Sequence, residues 1–378
     1  MASTLVTPLY VIYEAQFHFS RITLTLIYAT YIVGNMIALM LLGRLSDAIG
    51  RRVVCLAATG IAVLSALLFL FASSAGWLFA ARAVSGLSVG LAAGATTAWI
   101  TELDVRQSRA RASLIVTASN FLGLALGSLL SGALARYAPF PLEIPYIIFL
   151  GILLALGLLL ILVGETVRET KPLASVDWTP RLALPPETSA DFVAPAITAF
   201  GAMALVGYYA ALIPSILAET FHQTDHLVAG AIVSVLTVTV AITIVLTRHV
   251  GSQSAMLAGL ALMVPSVGLI AVAELFHAMP ALLAGTIVGG VSAALGYRGS
   301  LQVVNEIAPP DRRAEVVSLY FLAGFAGNGL PVIGVGILAT VWNPSAAGLL
   351  FAACIGAFSI LALVIAARRL PVRAVRKT

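Results

Sequence analysis

Gly43-Arg44-Leu45-Ser46-Asp47-Ala48-Ile49-Gly50-Arg51-Arg52 separates two long apolar runs, at about 21–42 and 53–73. As a helix, each run is long enough to cross a hydrocarbon core of roughly 30 Å. A charge held in hydrocarbon costs about 2.5 kcal/mol or more, so this dense charged turn belongs at a membrane face. Its three arginines assign that face to the cytoplasmic side, where basic loops are retained. Glycines bound the turn, and Asp47 stands four residues before Arg51.

The rest of the composition agrees. Hydrophobic residues make up 60% of the 378 and charged residues 10%, and mean hydropathy is +1.04. A soluble domain carries about 25% charged residues. The apolar runs are near 20 residues or longer and do not alternate as barrel strands do, which indicates an all-α integral membrane protein. The net charge of +5 does not mark a nucleic-acid binder, because the basic residues are scattered over short loops. Cys55 and Cys354 both fall inside apolar runs, so no disulfide framework or metal site is implied.

Eleven runs are expected to span, at about 21–42, 53–73, 77–101, 112–135, 144–163, 193–217, 226–247, 254–275, 279–304, 314–340 and 346–367. The stretch Leu5 to Tyr13 is too short to cross, and it lacks the basic start and small-residue cleavage site of a signal peptide. It reads as the outer end of a first helix whose inner half is missing from this sequence, so twelve helices are expected, the first partial. Charge tests the count. If even-numbered helices end inside, only Arg21 and Arg136 of the 21 Lys and Arg lie outside and Arg82 and Arg298 lie within helices; the other 17 are cytoplasmic. Both termini are therefore expected inside, at a cell (inner) membrane.

The longest polar segment, about 164–192, carries Trp178, Pro180, Pro185 and Pro186. It divides an expected N-terminal bundle (1–163) from a C-terminal bundle (193–367), followed by a basic cytoplasmic tail (368–378). An internal repeat supports the division. A shift of 204 residues lays Gly86-Leu87-Ser88 on Gly290-Val291-Ser292, Glu102 on Glu306, Arg109-Ala110 on Arg313-Ala314, Gly123 on Gly327 and Gly132 on Gly336. The opening turn is worn down in the second half to Arg248-His249-Val250-Gly251.

The spacing Gly-x-Leu-Ser-Asp-x-x-Gly-Arg-Arg at 43–52 resembles the loop signature between the second and third helices of the major facilitator superfamily of secondary transporters. The resemblance implies two six-helix bundles related by pseudo-two-fold symmetry. It implies a gating group of Gly43, Asp47, Gly50, Arg51, Arg52 and Glu102. In the family the acid sits against the N-terminal end of the eleventh helix, here near Arg313-Ala314. The arginine pairs with an acid closing the fourth helix, here Glu102. A carboxylate at a helix N-terminus gains about 0.3–1 kcal/mol. The alternative is that Asp47 only caps the third helix and Glu102 is a solvated loop acid. Ala48 departs from the basic residue usual after the acid, so the full charge cluster is not reproduced.

Arg82, followed four residues later by Gly86, resembles the family's fourth-helix motif, which implies a role in coupling or in holding anionic groups. Gly86, Gly90 and Gly94 continue at four-residue steps as a ridge that another helix can approach closely. The alternative has Arg82 snorkelling to headgroups and the glycines only packing. Arg298 is the other deep arginine, either lining a cavity or pairing with Glu306. Asn35, Asn120 and Asn328, with Tyr28, Tyr31, Tyr208, Tyr209 and Tyr320, are candidate cavity groups or interhelical hydrogen bonds. Arg82, Gly86, Gly90, Asn120 and Arg298 form the expected coupling or substrate set. No acid is placed at mid-membrane depth: Glu14, Glu102, Glu274 and Glu306 all fall near helix ends.

The functional expectation is a secondary active transporter moving a small organic solute by alternating access, proton-coupled and directed to efflux. Two features point to efflux: the few charges among the apolar runs, and the missing sugar-transporter marks after the sixth helix, where Gly164-Glu165-Thr166-Val167-Arg168 is only a faint match. Helix 5 has Gly123, Gly127 and Gly132 but no proline, so the Gly-Pro-x-x-Gly-Gly element of drug–proton antiporters is absent or degenerate. An uptake symporter for an organic anion or sugar is the alternative within the class. Outside it stand a transport-inactive fragment and a membrane-embedded enzyme. The sequence has no His-Glu-x-x-His, acidic metal pair or Ser/His/Asp cluster, and no phosphate loop for ATP. No cofactor, metal, ATP or nucleic acid is expected. The expected partners are a small-molecule substrate, protons and the lipid bilayer, with the chain a monomer.

Overall fold

The computed structural model describes residues 1–103, 109–167, 172, 182 and 184–369. Arg106, Arg168, Lys171, Trp178, Pro180, Arg181, most of the expected linker and the tail from 370 onward lie outside the described residues. Those described form helices and no strand. They run α1 Ala2–Leu5, a single 3-10 turn Thr7–Leu9, α2 Tyr10–Phe17, α3 Arg21–Leu42, α4 Leu45–Ile49, α5 Arg51–Leu70, α6 Ala75–Leu103, α7 Arg109–Tyr137 and α8 Ile144–Leu162. There follow α9 Pro186–Ala211, α10 Ile213–Glu219, α11 His226–Leu246, α12 Ser252–Phe276, α13 Met279–Ile307, α14 Arg313–Val341 and α15 Pro344–Arg369. Among the described residues, eleven helices are long and apolar enough to cross a membrane. A helix keeps its backbone hydrogen bonds within one segment, which is why such runs adopt it in lipid.

The helices begin and end where local chemistry requires. The Ser20 hydroxyl accepts the Thr23 amide at 3.3 Å and caps α3. Gly50, at φ 109°, breaks the chain between α4 and α5 in a region that strains any other residue. One boundary differs from the sequence reading. The run expected at 193–217 is two helices, α9 starting already at Pro186 and α10 following a break at Leu212. Pro214 stands in the first turn of α10, where its missing amide hydrogen is tolerated, whereas α9 continues through Pro195, so proline by itself does not set the break. Pro186 likewise sits at a helix start, where the missing donor costs nothing.

Contacts divide the chain into two compact units. Unit 1 is Met1–Pro180 with Ala210–Ser234, and unit 2 is Arg181–Tyr209 with Val235–Thr378. In unit 1, α6 lies along both α3 and α5, α5 also meets α8, and α1 packs on α7. Lipid tails are as apolar as leucine, so such helices associate through small residues and close packing. A Cβ added to Gly90 would stand 2.7 Å from the Ala38 Cβ, and Gly86 lies on the α3 backbone at Tyr31 and Asn35. The Ser88 hydroxyl donates to the Ala58 carbonyl at 2.8 Å, and Ser65 to Ala81 at 2.9 Å.

Unit 2 repeats this internal pattern. There α13 lies along α12, Gly259 sits on Gly296, and Gly290 meets Leu236 and Thr239 of α11. The Ser292 hydroxyl donates to the Gly259 carbonyl at 2.7 Å, and Ser266 to Gly285 at 3.1 Å. Ser88 and Ser292 are 204 residues apart, as are Ala81 and Gly285. The sequence repeat therefore has a tertiary counterpart: equivalent serines stitch equivalent helix pairs.

Candidate functional site

The charged end of unit 1 is built around Arg51. Gly43 ends α3, α4 carries Ser46 and Asp47, and Gly50 turns the chain so that Arg51 opens α5. The Arg51 side chain, 10% exposed, reaches across to the last turn of α6, donating from Nη2 to Glu102 Oε1 at 2.9 Å and from Nε at 3.3 Å. Its Nη1 donates to the Ser46 hydroxyl at 2.7 Å and pairs with Asp47. A guanidinium presents a planar fork of donors, and here the fork is shared among α4, α5 and α6. Asp47 is 60% exposed. Arg52 contributes chiefly its backbone, with Nη1 at 3.4 Å from the Ile161 carbonyl.

Glu165, just past α8, completes the cluster. Its carboxylate accepts the Arg51 amide on Oε1 and the Arg52 amide on Oε2, both at 2.9 Å, so it caps the first turn of α5. The Thr166 and Val167 amides add bonds at 2.9 and 3.1 Å. Partial burial pushes the Glu165 carboxyl up, but these amide hydrogen bonds outweigh it and hold the group below the usual carboxylate range. Thr166 also contacts Glu102, and the Trp99 indole donates to the Gly164 carbonyl at 3.1 Å. The sequence reading noted Glu165 only as part of a faint motif. The available signal was an acid directly after a span, beside a helix start whose amides need acceptors.

Arg82 is fully buried, at 0% exposure. From α6 it donates through Nε to the Tyr10 hydroxyl at 2.8 Å and through Nη1 to the Ser3 carbonyl at 2.9 Å. The rings of Tyr10, Tyr28 and Tyr31 surround it at 5.5, 5.5 and 5.1 Å. Each such cation–π contact contributes about 0.5–2 kcal/mol. Nη2 has no hydrogen-bond partner, and among the described residues no acid pairs with Arg82. The partners shown for this buried guanidinium are thus phenols and a carbonyl, with no counter-charge among the described residues. Gly86 and Gly90, from the same helix, face α3, and Asn120 is exposed on α7.

Arg298 belongs to unit 2, donating from Nη2 to the Val250 carbonyl at 3.0 Å, while its buried Nε has no partner. Glu306, the repeat counterpart of Glu102, accepts instead from Ser252 at the start of α12, at 2.8 Å. The last turn of α13 is thus tied to the first turn of α12 as α6 is tied to α5, with a hydroxyl in place of the guanidinium.

Two ion pairs were invisible in the sequence, where Arg21 and Arg136 appeared only as the basic residues of the other face. Arg21 pairs with Glu219 at the end of α10, and Arg136 with Asp225. Asp225 also caps α11, accepting the Leu227 amide at 2.9 Å. Close helix contact supports these pairs: a Cβ on Gly132 would lie 2.6 Å from the His226 carbonyl oxygen. They hold residues 210–234 to the rest of unit 1.

The model of the Major Facilitator Superfamily matches residues 1–248. No curated protein matches the chain in sequence. Among solved structures it is similar to a variant of the nucleoside transporter NupG, with TM-score 0.72 and 15% identity over 96% of this chain and 95% of that one. It is also similar to the human organic anion transporter MFSD10, with TM-score 0.66 and 20% identity over 90% of this chain and 83% of that one. At such identities the likeness concerns the fold. With the family model covering most of its length and eleven membrane-length helices among the described residues, the chain belongs to the major facilitator superfamily of transporters.

Proposed function

We propose that the protein is a secondary active transporter that moves a small organic solute by alternating access, coupled to protons and directed to efflux. The observation that carries this reading is Arg82, a buried guanidinium with an unpartnered Nη2 inside a tyrosine cage. A charged group held at depth marks a candidate substrate or proton pathway, and this one could engage an anion or respond to a proton moving nearby. Gly86 and Gly90 fix the α3–α6 spacing around it. Asn120 and Arg298 are the further polar groups assigned to the solute path. Gly43, Asp47, Gly50, Arg51, Arg52 and Glu102 form the inner latch, which closes and opens as the chain cycles. The division into 1–163, 164–192, 193–367 and a tail from 368 is proposed as two moving bundles, their linker and a basic end, although residues 210–234 cluster with unit 1 by contact. The basic loops favour a cell membrane location with both termini in the cytoplasm.

A second reading, uptake of an organic anion, is favoured by the same Arg82 charge and is consistent with the fold it shares with the human organic anion transporter MFSD10. One series of measurements separates them. Purified protein is screened for thermal stabilisation by benzoate, uridine, glucose and tetraphenylphosphonium, since a ligand that binds the folded state raises its stability. Stabilising compounds are then offered to proteoliposomes carrying a pH-reporting dye. Efflux is expected to accompany proton movement in the opposite direction. Solute and proton moving together would establish uptake by symport and remove the efflux reading. Solute movement with no proton flux would remove coupling, and no movement under any gradient would remove the transporter reading.

A further inference from the structure

Among the described residues of unit 2 one acid is buried, and the gating and cavity groups do not use it. Glu274 lies near the end of α12 and is 3% exposed. The Tyr208 hydroxyl, from α9, contacts its Oε1, and its Oε2 has no hydrogen-bond partner. The carboxyl group fills the space beside Gly348 of α15, where any side chain would collide with it. The Tyr208 ring stacks on Phe351 of α15 at 4.4 Å and stands edge-on to Tyr209. The Tyr209 hydroxyl in turn shares a 2.8 Å hydrogen bond with Thr286 of α13. The groups shown against Glu274 are thus Tyr208 from α9 and Gly348 from α15, with Tyr209, Thr286 and Phe351 packed behind Tyr208. None carries a positive charge, and among the described residues no Lys, Arg or His pairs with Glu274.

An ionised carboxylate in that place would have one phenol as its whole solvation shell. The penalty for burying an unpaired carboxylate is several kcal/mol or more, so such a group takes up a proton instead. The neutral acid fits what surrounds it. Tyr208 donates to Oε1, the aromatic rings exclude water, and the glycine leaves room for the whole carboxyl group.

We propose that Glu274 is the proton-binding carboxyl of this chain, loaded while Tyr208 and Gly348 enclose it and unloaded when α9 and α15 part to admit water. On unloading, the O–H bond on Oε2 breaks, its electron pair stays on the carboxylate, and the proton passes to water. Tyr208 remains the donor to Oε1 and steadies the charge that results. This site rests on the proton-coupled reading above and supplies its proton carrier.

Infrared difference spectra of the reconstituted protein test the site without a transported solute. A carboxylic C=O stretching band is expected that disappears as pH rises, and Glu274→Gln should abolish it. Glutamine is isosteric with the neutral acid, so that variant should fold. Glu274→Asp should keep a band at a shifted position, and Gly348→Ala should displace it by forcing the carboxyl from its place. A band of unchanged amplitude in Glu274→Gln would overturn the proposal. Flux in proteoliposomes keeps the two readings apart. Wild-type proton flux that Glu274→Gln leaves unchanged would overturn this site and leave coupling standing. Wild-type solute movement without proton flux, with the band still lost in Glu274→Gln, would support the site as a proton site and remove coupled transport.

Discussion

Gly50→Ala is the sharpest test of the charged end. Gly50 stands at φ 109° and ψ 146°, a conformation essentially confined to glycine. Placing alanine there costs about 1–3 kcal/mol in backbone strain. The new methyl would also come 3.0 Å from the carboxyl carbon of Glu165 and 2.5 Å from its Oε2. It must push that carboxylate off the Arg51 and Arg52 amides, and loss of a helix N-cap costs about 0.5–2 kcal/mol. The two effects together are about 1.5–5 kcal/mol. At roughly 2–4 °C per kcal/mol for a domain of some 150–250 residues, the melting temperature should fall by about 3–20 °C. Thermal melts of the purified protein read the change. A double-mutant cycle with Glu165→Ala isolates the collision: the double variant should lose less than the sum of the singles, because the methyl then has nothing to displace. A Gly50→Ala protein that melts with the parent would refute the argument, and strict additivity would refute the collision.

Two further outcomes follow from the buried and capping charges. Arg82→Gln should lower transport at least tenfold with little change in membrane yield. Arg82→Lys should recover part of it, since lysine keeps the charge but not the fork that reaches both Tyr10 and Ser3; an unchanged transport rate in Arg82→Gln would mean the residue only packs. Glu165 supplies the pH dependence: its depressed folded pKa adds stability that is present above the unfolded glutamate value near 4.3 and is lost as pH falls through the folded value. Melting temperature should therefore drop on acidification below about pH 4, and the Glu165→Gln variant should lose that component.

The sequence was informative wherever a single segment carries the physics. Length and hydropathy suffice for the spans because the bilayer fixes how many apolar residues a helix needs. The turn at 43–52 announced itself because charges must leave hydrocarbon, and its Arg51–Glu102 pairing is seen in the structure. The repeat was legible in Ser88 and Ser292, whose hydroxyls bridge equivalent helix pairs. The break at Leu212 within the expected 193–217 span carries no comparable signal, since α9 runs through one proline, Pro195, and α10 begins around another, Pro214.

What the sequence by itself determined is a membrane-embedded helical chain with a charged turn, a deep arginine and a duplicated plan. Tertiary structure alone decided that Glu165 caps α5, that Arg21 meets Glu219, and that three tyrosines enclose Arg82. It also decided that Glu274, near a helix end in the sequence, is sealed from water. Helices that are apolar on nearly every side carry little signal of which face meets a neighbour, so partners drawn from distant segments are fixed only when close packing chooses them.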